Sequence, residues 1–212
     1  MMTYQYPDAV LMIFCKAPVA GQVKTRLTSA FSAQQAVDVH IELSTRTLRL
    51  ATDSQLCPVE LWCTPSTQHA FFTAASASYP LVLRQQQGAD LGERMLGAFC
   101  AAFELYDHAL LMGCDCPSLS QGDLEGALKA LSQNSDSVLA PAEDGGYVMI
   151  GLNQAQPELF VDMPWGTPQV LAQTRARIKK LNLRHHELRQ QWDVDTPEDL
   201  ARYCSLKHAS NI

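Results

Sequence analysis

The chain has 212 residues, of which 47% are hydrophobic and 18% are charged, and this composition excludes a disordered or fibrous protein. Its formal net charge of −6 argues against nucleic acid as the main partner and against a polybasic membrane anchor, because both need a basic face. The length predicts a single domain over residues 1–212 whose core needs neither disulfides nor a structural metal.

Short apolar runs alternate with amphipathic stretches along the first half of the chain. The apolar runs predict buried strands, which cover residues 9–14, 59–63, 81–83 and 109–112. Between them, apolar positions spaced three and four residues apart predict helices over residues 33–51, 67–77 and 91–103.

The second half of the chain continues this alternation. Ser120 to Asp123 has the form of a capping box and predicts a helix through Leu131. Two more strands are predicted over residues 137–140 and 147–152. Thr167-Pro168 and Thr196-Pro197 each predict a helix start with proline at the first helical position. The whole pattern favours an α/β layer arrangement with a mainly parallel sheet.

The cysteines and the hydropathy pattern indicate the compartment. Seven cysteines are an odd number, and their spacing shows no paired framework, which favours free thiols in a reducing environment. No apolar run approaches the roughly 20 residues of a membrane span, and the N-terminal apolar stretch lacks the basic flank of a signal peptide. We therefore expect a cytoplasmic protein without a membrane span.

The loop after the first predicted strand carries three cations in a chain that is acidic overall: Lys16, Lys24 and Arg26. These side chains can converge on phosphate oxygens, with Thr25 and the loop amides as further donors. Gly21 would allow the backbone to approach the ligand closely. On charge alone, an ordinary solvated loop accounts for the pattern equally well. The loop matches neither the P-loop nor the dinucleotide fingerprint.

Asp115 follows the fourth predicted strand. A carboxylate at the carboxyl end of a buried strand can hold Mg²⁺ or Mn²⁺ together with substrate phosphates. The alternative is a turn or cap residue before Pro117. The flanking thiols of Cys114 and Cys116 indicate zinc only weakly, because no matching His/Cys pair accompanies them in the sequence.

A further cluster combines the acid pair Glu143 and Asp144 with Gly145, Gly146 and Tyr147. A hairpin turn explains the two glycines. It does not explain the acids or the tyrosine, which suit the binding of hydroxyl groups and stacking on a ring. The cluster therefore predicts a binding site for a hydroxylated ligand.

Three more sets of residues have functional and structural interpretations. Asp193 and Asp195 are additional to a helix cap that needs only its threonine and a later aspartate. Asp90 and Arg94 could line a pocket, although a helix start explains them nearly as well. Trp165 precedes another predicted helix and could form a wall on the acceptor side. Nucleophilic hydrolysis has little support, since the chain has no G-x-S-x-G motif and no recognisable Cys–His motif.

Five motifs occur in order across nearly the whole chain: K-A-P-x-x-G-x-V-K-T-R-L, G-x-D-C-P, P-A-x-D-G-G-Y, W-G-T and D-V-D-T-P-E-D-L. Together they resemble the bacterial radical-SAM/selenodomain-associated transferases, which are grouped with GT-A glycosyltransferases in the nucleotide-diphospho-sugar transferase superfamily. The resemblance implies a GT-A-like three-layer α/β/α sandwich with a mainly parallel mixed sheet. Its amino-terminal half would bind the nucleotide and its carboxyl-terminal half the acceptor.

The resemblance also implies a metal site. Asp115 would correspond to the superfamily's metal-binding aspartate, and Asp195, before Thr-Pro, to the second ligand of a divalent cation, Mg²⁺ or Mn²⁺. Asp193 stays open as the alternative second ligand. The chain departs from the family pattern because Cys116 follows Asp115 and no strict D-x-D is present. Metal binding would then need Asp195 or the pair Glu143 and Asp144.

The residues and the resemblance together predict a glycosyltransferase that moves a sugar from a nucleoside diphosphate-sugar to a small-molecule acceptor. The donor phosphates would lie over residues 16–26, and the acceptor near Gly145, Gly146, Tyr147 and Trp165. Either Asp144 or Glu143 could act as general base, and we favour Asp144.

Two other functions stay open. A nucleotidyltransferase would join a nucleoside triphosphate to a phosphorylated metabolite and release pyrophosphate. The K-T-R-L ending of the first motif also resembles enzymes that guanylylate phospholactate, but the L-x-x-G-x-G-x-R-M opening of sugar nucleotidyltransferases is missing. The third possibility is a non-catalytic nucleotide-binding protein that keeps the pocket.

Overall fold

The computed structural model describes residues 3–209. In this part of the chain the strands are β1 (Ala9–Lys16), β2 (Val59–Thr64), β3 (Val82–Gln85), β4 (His108–Gly113), β5 (Ser137–Pro141), β6 (Tyr147–Leu152) and β7 (His185–Glu187). The α-helices are α1 (Ala33–Asp53), α2 (Ala70–Ser78), α3 (Leu91–Ala102), α4 (Gln121–Gln133), α5 (Val170–Lys180) and α6 (Pro197–Ala209). Two 3₁₀ turns cover Thr25–Ser29 and Pro157–Leu159.

The strands form one sheet in the order β3-β2-β1-β4-β6-β5-β7. Strand β1 runs parallel to β2 and β4, β2 is parallel to β3, and β5 is parallel to β7. Strand β6 is antiparallel to both of its neighbours. The predicted mainly parallel mixed sheet is therefore confirmed.

Helices cover both faces of the sheet. Alternate side chains of β1 point to opposite faces, so Leu11 and Ile13 pack with α1, α2 and α4, while Val10 and Met12 pack with α3 and α5. Burial on both faces explains why this strand is a continuous apolar run. The predicted three-layer α/β/α sandwich is confirmed. No helix among residues 3–209 is long and apolar enough to cross a bilayer.

Two of the three predicted helix starts are confirmed. The Ser120 hydroxyl accepts a hydrogen bond from the backbone of Asp123 in a capping box, and Thr196 caps α6. The start predicted at Thr167-Pro168 is wrong, because α5 begins at Val170. The Thr167 hydroxyl donates to the Pro164 carbonyl 2.8 Å away, so these residues form a turn that precedes the helix.

A network of hydrogen bonds ties the loop after β4 to the segment before α6. Arg189 forms a bidentate ion pair with Asp123, at 3.0 and 2.7 Å, and donates to the Ser118 carbonyl. The Ser118 hydroxyl donates to the Gln191 side chain at 2.8 Å and accepts from the backbone of Trp192. The two segments that carry Asp115 and Asp195 are thereby held together, although they are distant in the sequence.

We expect Asp123→Asn to lower the free energy of unfolding by about 1–3 kcal/mol at pH 7, since a buried charged hydrogen bond is lost. Burial would raise the pKa of Asp123, but hydrogen bonds from Arg189 and Ser120 outweigh burial and lower it. The stabilisation is therefore present above the unfolded pKa of about 4 and is lost as the pH falls through the folded pKa. Denaturant unfolding at pH 7 and pH 3 should show a difference from wild type that shrinks in acid.

Asp136→Asn, in the more exposed pair with Arg184, is the control and should cost less than about 1 kcal/mol. A loss that is equal at both pH values would contradict this explanation.

Candidate functional site

A buried ammonium group joins two carboxylates at the carboxyl-terminal edge of the sheet. The Lys24 Nζ atom lies 2.8 Å from Asp115 Oδ1 and 3.3 Å from Asp195 Oδ1, and it donates to the Val194 carbonyl at 2.7 Å. The Lys24 side chain is 3% exposed, whereas the two carboxylates are 38% and 37% exposed. We call Lys24, Asp115 and Asp195 the carboxylate centre. It combines the predicted metal ligands with a cation from the predicted phosphate loop.

The backbone brings these three residues together. Asp115 follows β4 and Lys24 lies in the loop after β1, and the carboxyl ends of these parallel neighbours meet at the same edge. Lys24 has φ 48°, a left-handed conformation that is uncommon for a residue with a side chain. Such a conformation persists only where its surroundings hold it, and the two ion pairs do so here.

The charges of the centre stabilise one another. Burial would raise the pKa of Asp115, but Lys24 and His40 outweigh burial and hold it well below its usual range. Burial would lower the pKa of Lys24, but Asp115 and then Asp195 raise it above its usual value. Lys24 and Asp115 are therefore both charged at neutral pH.

The rest of the predicted phosphate loop is open to solvent. Arg26 donates to Asp195 Oδ2 at 3.1 Å, and its side chain is 67% exposed. Lys16 is exposed at the end of β1, and Thr25 opens the first 3₁₀ turn. Gly21 has φ 77°, and an added Cβ would meet no atom within 4 Å. The loop thus presents two exposed cations beside the buried one.

Asp90 and Arg94 have roles at the start of α3. Asp90 caps the helix by accepting a hydrogen bond from the Glu93 backbone at 2.8 Å. Arg94 donates from Nε to the Gly88 carbonyl at 3.0 Å. The structure thus shows the helix-start interpretation of both residues, and their contact with phosphate stays a prediction.

A cavity of about 250 Å³ is lined in part by Gly113 and Asp193, each of which lies two residues before a carboxylate of the centre. Its apolar wall includes Phe14, Leu91, Met95 and Leu111, and its polar groups include Asp144, Tyr147, Trp165, Thr167 and Asp193. The Asp144 carboxylate accepts a hydrogen bond from the Gly146 backbone at 2.8 Å. Glu143 instead pairs with Arg202 at 2.8 and 3.2 Å, and its side chain is 52% exposed. Of the two predicted general bases, only Asp144 lines this cavity.

Tyr147 and Trp165 line the cavity, and Gly145 shapes the turn that precedes Tyr147. Gly145 has φ 87°, and a Cβ there would lie 2.4 Å from the Pro168 carbonyl oxygen, so the turn requires glycine. The rings of Tyr147 and Trp165 meet edge to face, with their centroids 6.4 Å apart. Among residues 3–209, the Tyr147 hydroxyl and Trp165 Nε1 are buried without a hydrogen-bond partner. Buried polar groups without a partner are uncommon in a folded protein.

The structure adds Asp193 and His40 to the site. Burial, and after it the neighbouring carboxylates of Asp195 and Asp144, raise the pKa of Asp193 to about 6. The sequence singles out Asp193 as an extra acid of its motif and leaves open whether Asp193 or Asp195 is the second metal ligand. His40 lies on α1, and its Nδ1 is 3.8 Å from Asp115 Oδ1. Nothing in the sequence around His40 distinguishes it from an ordinary core residue.

The sheet order and the placement of the site define a protein with the fold of nucleotide-diphospho-sugar transferases and cytidylyltransferases. The chain belongs to the DUF2064 family, described as uncharacterized proteins conserved in bacteria, whose sequence profile matches residues 47–167. This match includes Asp115, Asp144 and Trp165 but not Lys24 or Asp195. The finer resemblance to radical-SAM/selenodomain-associated transferases stays a prediction.

Several solved structures share this fold. A candidate nucleotide-diphospho-sugar transferase from Desulfovibrio desulfuricans G20 has a TM-score of 0.83 and 29% identity, over 92% of this chain and 85% of that chain. The CMP:2-keto-3-deoxy-manno-octonic acid synthetase complexed with CTP has a TM-score of 0.58 and 12% identity, over 96% and 99%. The protein Rv0371c from Mycobacterium tuberculosis H37Rv, in complex with manganese, has a TM-score of 0.54 and 13% identity, over 93% and 97%. No curated protein sequence matches the chain significantly.

Proposed function

We propose that this protein is a nucleotide-dependent transferase, and specifically a glycosyltransferase that moves a sugar from a nucleoside diphosphate-sugar to a small-molecule acceptor. The observation that carries this proposal is the carboxylate centre at the carboxyl ends of β1 and β4, together with a cavity whose lining includes Gly113 and Asp193, each two residues from one of the two carboxylates. The structural similarity to a candidate transferase of this class, at 29% identity, supports it.

The donor side of the site suits a metal-bridged diphosphate. Asp115 and Asp195 already share one cation, the Lys24 ammonium group, and two carboxylates are a donor set that fits Mg²⁺ or Mn²⁺. When bound there, such an ion would neutralise charge that develops on the leaving diphosphate. Lys16 and Arg26 are exposed and would bind the phosphate oxygens. The manganese complex of a protein with the same fold supports a metal of this kind.

The acceptor side would occupy the cavity. Its apolar wall and the rings of Tyr147 and Trp165 would hold the body of the acceptor. Asp144 would accept the proton of the reacting hydroxyl. In this step the acceptor oxygen bonds to the anomeric carbon of the sugar, the bond between that carbon and the diphosphate oxygen breaks, and the nucleoside diphosphate leaves.

Nucleotidyl transfer is the second candidate function. A structure with the same fold carries CTP, and the same cation loop and acids would serve a triphosphate. A phosphate oxygen of the metabolite would then attack the α-phosphorus, and the bond to pyrophosphate would break. Both candidates use the carboxylate centre, so they differ in the donor and in the product released.

A ligand screen followed by product analysis tests the proposal. The melting temperature is measured with each common nucleoside diphosphate-sugar and each nucleoside triphosphate, with and without Mn²⁺, because a preferred ligand raises it by mass action. Release of nucleoside diphosphate in the presence of an acceptor mixture supports glycosyl transfer, and release of pyrophosphate supports nucleotidyl transfer. Binding without turnover would indicate a non-catalytic nucleotide-binding protein. The absence of any nucleotide-dependent shift would overturn both candidates.

We expect Asp144→Asn to lower kcat by about 10²–10⁴-fold, because the amide cannot accept the acceptor's proton. The isosteric change retains an oxygen that can accept from the Gly146 backbone, so the melting temperature should change little. Glu143→Gln is the matched comparison, and it should lose much less activity because Glu143 pairs with Arg202 at the surface. Steady-state kinetics on both variants decides the assignment, and a larger loss in Glu143→Gln would transfer the role to Glu143.

A further inference from the structure

Two cysteines and a histidine meet in a closed pocket behind the carboxylate centre. Cys15 is the last residue but one of β1, Cys114 follows β4, and His40 reaches them from α1; the three are only 2–4% exposed. One sulfur or ring-nitrogen atom from each lies within 4.8 Å of the corresponding atoms of the other two. The parallel pairing of Phe14 with Gly113 sets Cys15 and Cys114 side by side on neighbouring strands. We call Cys15, His40 and Cys114 the thiol–imidazole cluster.

We propose that the thiol–imidazole cluster binds one thiophilic divalent cation of the zinc class, with Asp115 Oδ1 as the fourth ligand. This site is distinct in chemistry from the Mg²⁺ or Mn²⁺ site, which would use carboxylate oxygens alone. It needs no nucleotide, so the proposal does not depend on the transferase activity.

The spacing of three donor atoms fits a tetrahedral site. Cys114 Sγ lies 3.7 Å from Asp115 Oδ1, and Asp115 Oδ1 lies 3.8 Å from His40 Nδ1. Zinc bonds of about 2.0–2.3 Å to nitrogen, oxygen and sulfur place neighbouring ligand atoms about 3.3–3.8 Å apart. Cys15 Sγ lies 3.8 Å from the other ring nitrogen, Nε2, so the Cys15 and His40 side chains would have to rotate for Sγ and Nδ1 to meet around an ion.

The hydrogen bond of His40 prepares one ring nitrogen for a metal. Nε2 lies 2.8 Å from the Lys16 carbonyl oxygen, and a carbonyl only accepts, so Nε2 carries the hydrogen. Nδ1 then faces Asp115 Oδ1 at 3.8 Å, which is too long for a hydrogen bond. A ring N–H fixed by a backbone carbonyl, with the other nitrogen directed at the ion, is the usual arrangement of a metal-binding histidine.

The charge balance also fits. Without an ion, the Lys24 ammonium and the Asp115 carboxylate neutralise each other. A divalent cation that displaces the protons of Cys15 and Cys114 leaves the net charge of the pocket unchanged.

The ion would connect the core to the reactive edge of the sheet. Two ligands lie on the central strands, or directly after them, and one lies on α1, so the ion would fix the ends of β1 and β4 to that helix. Asp115 would contribute to both metal sites, and the ion would hold its carboxylate in one orientation. We therefore expect a structural ion, enclosed by protein, that positions Asp115.

Metal titration of the full-length protein tests this proposal. Protein stripped with a chelator is titrated with Zn²⁺ against a chromophoric competitor and, separately, with Co²⁺ while absorbance is recorded. We expect one Zn²⁺ per chain and, with Co²⁺, a thiolate-to-metal charge-transfer band. Cys15→Ser and Cys114→Ser should each weaken Zn²⁺ binding by more than about 100-fold, since loss of an outer partner alone costs about 10–100-fold, and each should reduce the band.

Cys63→Ser is the matched control. Cys63 is buried on β2 directly beside Cys15 in register, but it lies outside the cluster, so this variant should bind Zn²⁺ and give the Co²⁺ band as wild type does. Asp195→Asn should also keep the band while losing the oxygen-only metal site. If a cysteine variant fails to fold, the wild-type titration still decides. A wild-type protein without a thiolate band, or equal Zn²⁺ binding by the Cys15 and Cys114 variants, would overturn the proposal, whatever the nucleotide screen shows.

Discussion

Lys24→Met is expected to lower turnover by about 10²–10³-fold, the usual loss when one charge-stabilising donor is removed from an active site. The variant keeps the length of the side chain but leaves Asp115 and Asp195 without the ammonium group that lies 2.8 and 3.3 Å from them. Removing one partner of a buried ion pair costs up to about 3–5 kcal/mol. The cost here falls below that range, because both carboxylates are more than a third exposed. Kinetics and denaturant unfolding measure the two effects separately.

Two comparisons make the Lys24 prediction specific. Arg26→Met removes a cation that contacts the same Asp195, but this side chain is 67% exposed, so its loss should cost less than about 1 kcal/mol and affect mainly the KM of the donor. Saturating Mn²⁺ should stabilise Lys24→Met more than wild type, because a divalent ion can replace the ammonium between the carboxylates. Wild-type turnover in Lys24→Met, or no extra stabilisation by Mn²⁺, would show that Lys24 does not occupy the position of the cation.

The fold was predictable because its pattern is local. A strand buried on both faces must be apolar along its length, so β1 and β4 are evident as runs in the sequence. The capping box at Ser120 involves only residues within one turn. The helix start predicted at Thr167 is wrong because the Thr167 hydroxyl donates to the carbonyl of the earlier residue Pro164 and does not cap α5. The local sequence does not distinguish these two arrangements.

The site was predictable where it depends on strand ends and not where it depends on pairing between distant segments. Asp115 and the cation loop stand directly after apolar runs, so their common edge follows from a parallel sheet. The inward turn of Lys24 depends on a left-handed backbone and on Asp195, which comes from the other end of the chain. His40 and Cys15 approach Cys114 only because α1 packs on β1 and β1 pairs with β4. The sequence alone therefore does not show that Cys15 and His40 could complete a zinc site with Cys114.

Asp115→Asn is expected to lower turnover by about 10³-fold or more while the fold stays intact. Asparagine has the same shape, and the backbone carbonyl of residue 115 still accepts from Val194. Lys24 also keeps Asp195 and the Val194 carbonyl as acceptors, so the loss of stability should be smaller than in Lys24→Met. The loss of activity arises because an amide is a poor ligand for a hard divalent ion and cannot balance its charge.

Metal binding separates this explanation from general damage to the site. Calorimetry with Mn²⁺ should show weaker binding in Asp115→Asn than in Asp195→Asn. Asp115 is held by the buried Lys24 and also faces His40. Asp195 contacts Lys24 too, but its second partner, Arg26, is exposed. An ordered ligand loses less freedom when the ion binds, so its removal costs more affinity. The pKa of Asp115 is held well below its usual range, so wild-type Mn²⁺ binding should not depend on Asp115 titration near neutral pH. If Asp115→Asn turned over at the wild-type rate with unchanged Mn²⁺ affinity, Asp115 would have no role in the mechanism. The remaining candidate metal ligands would then be Asp195, Glu143 and Asp144.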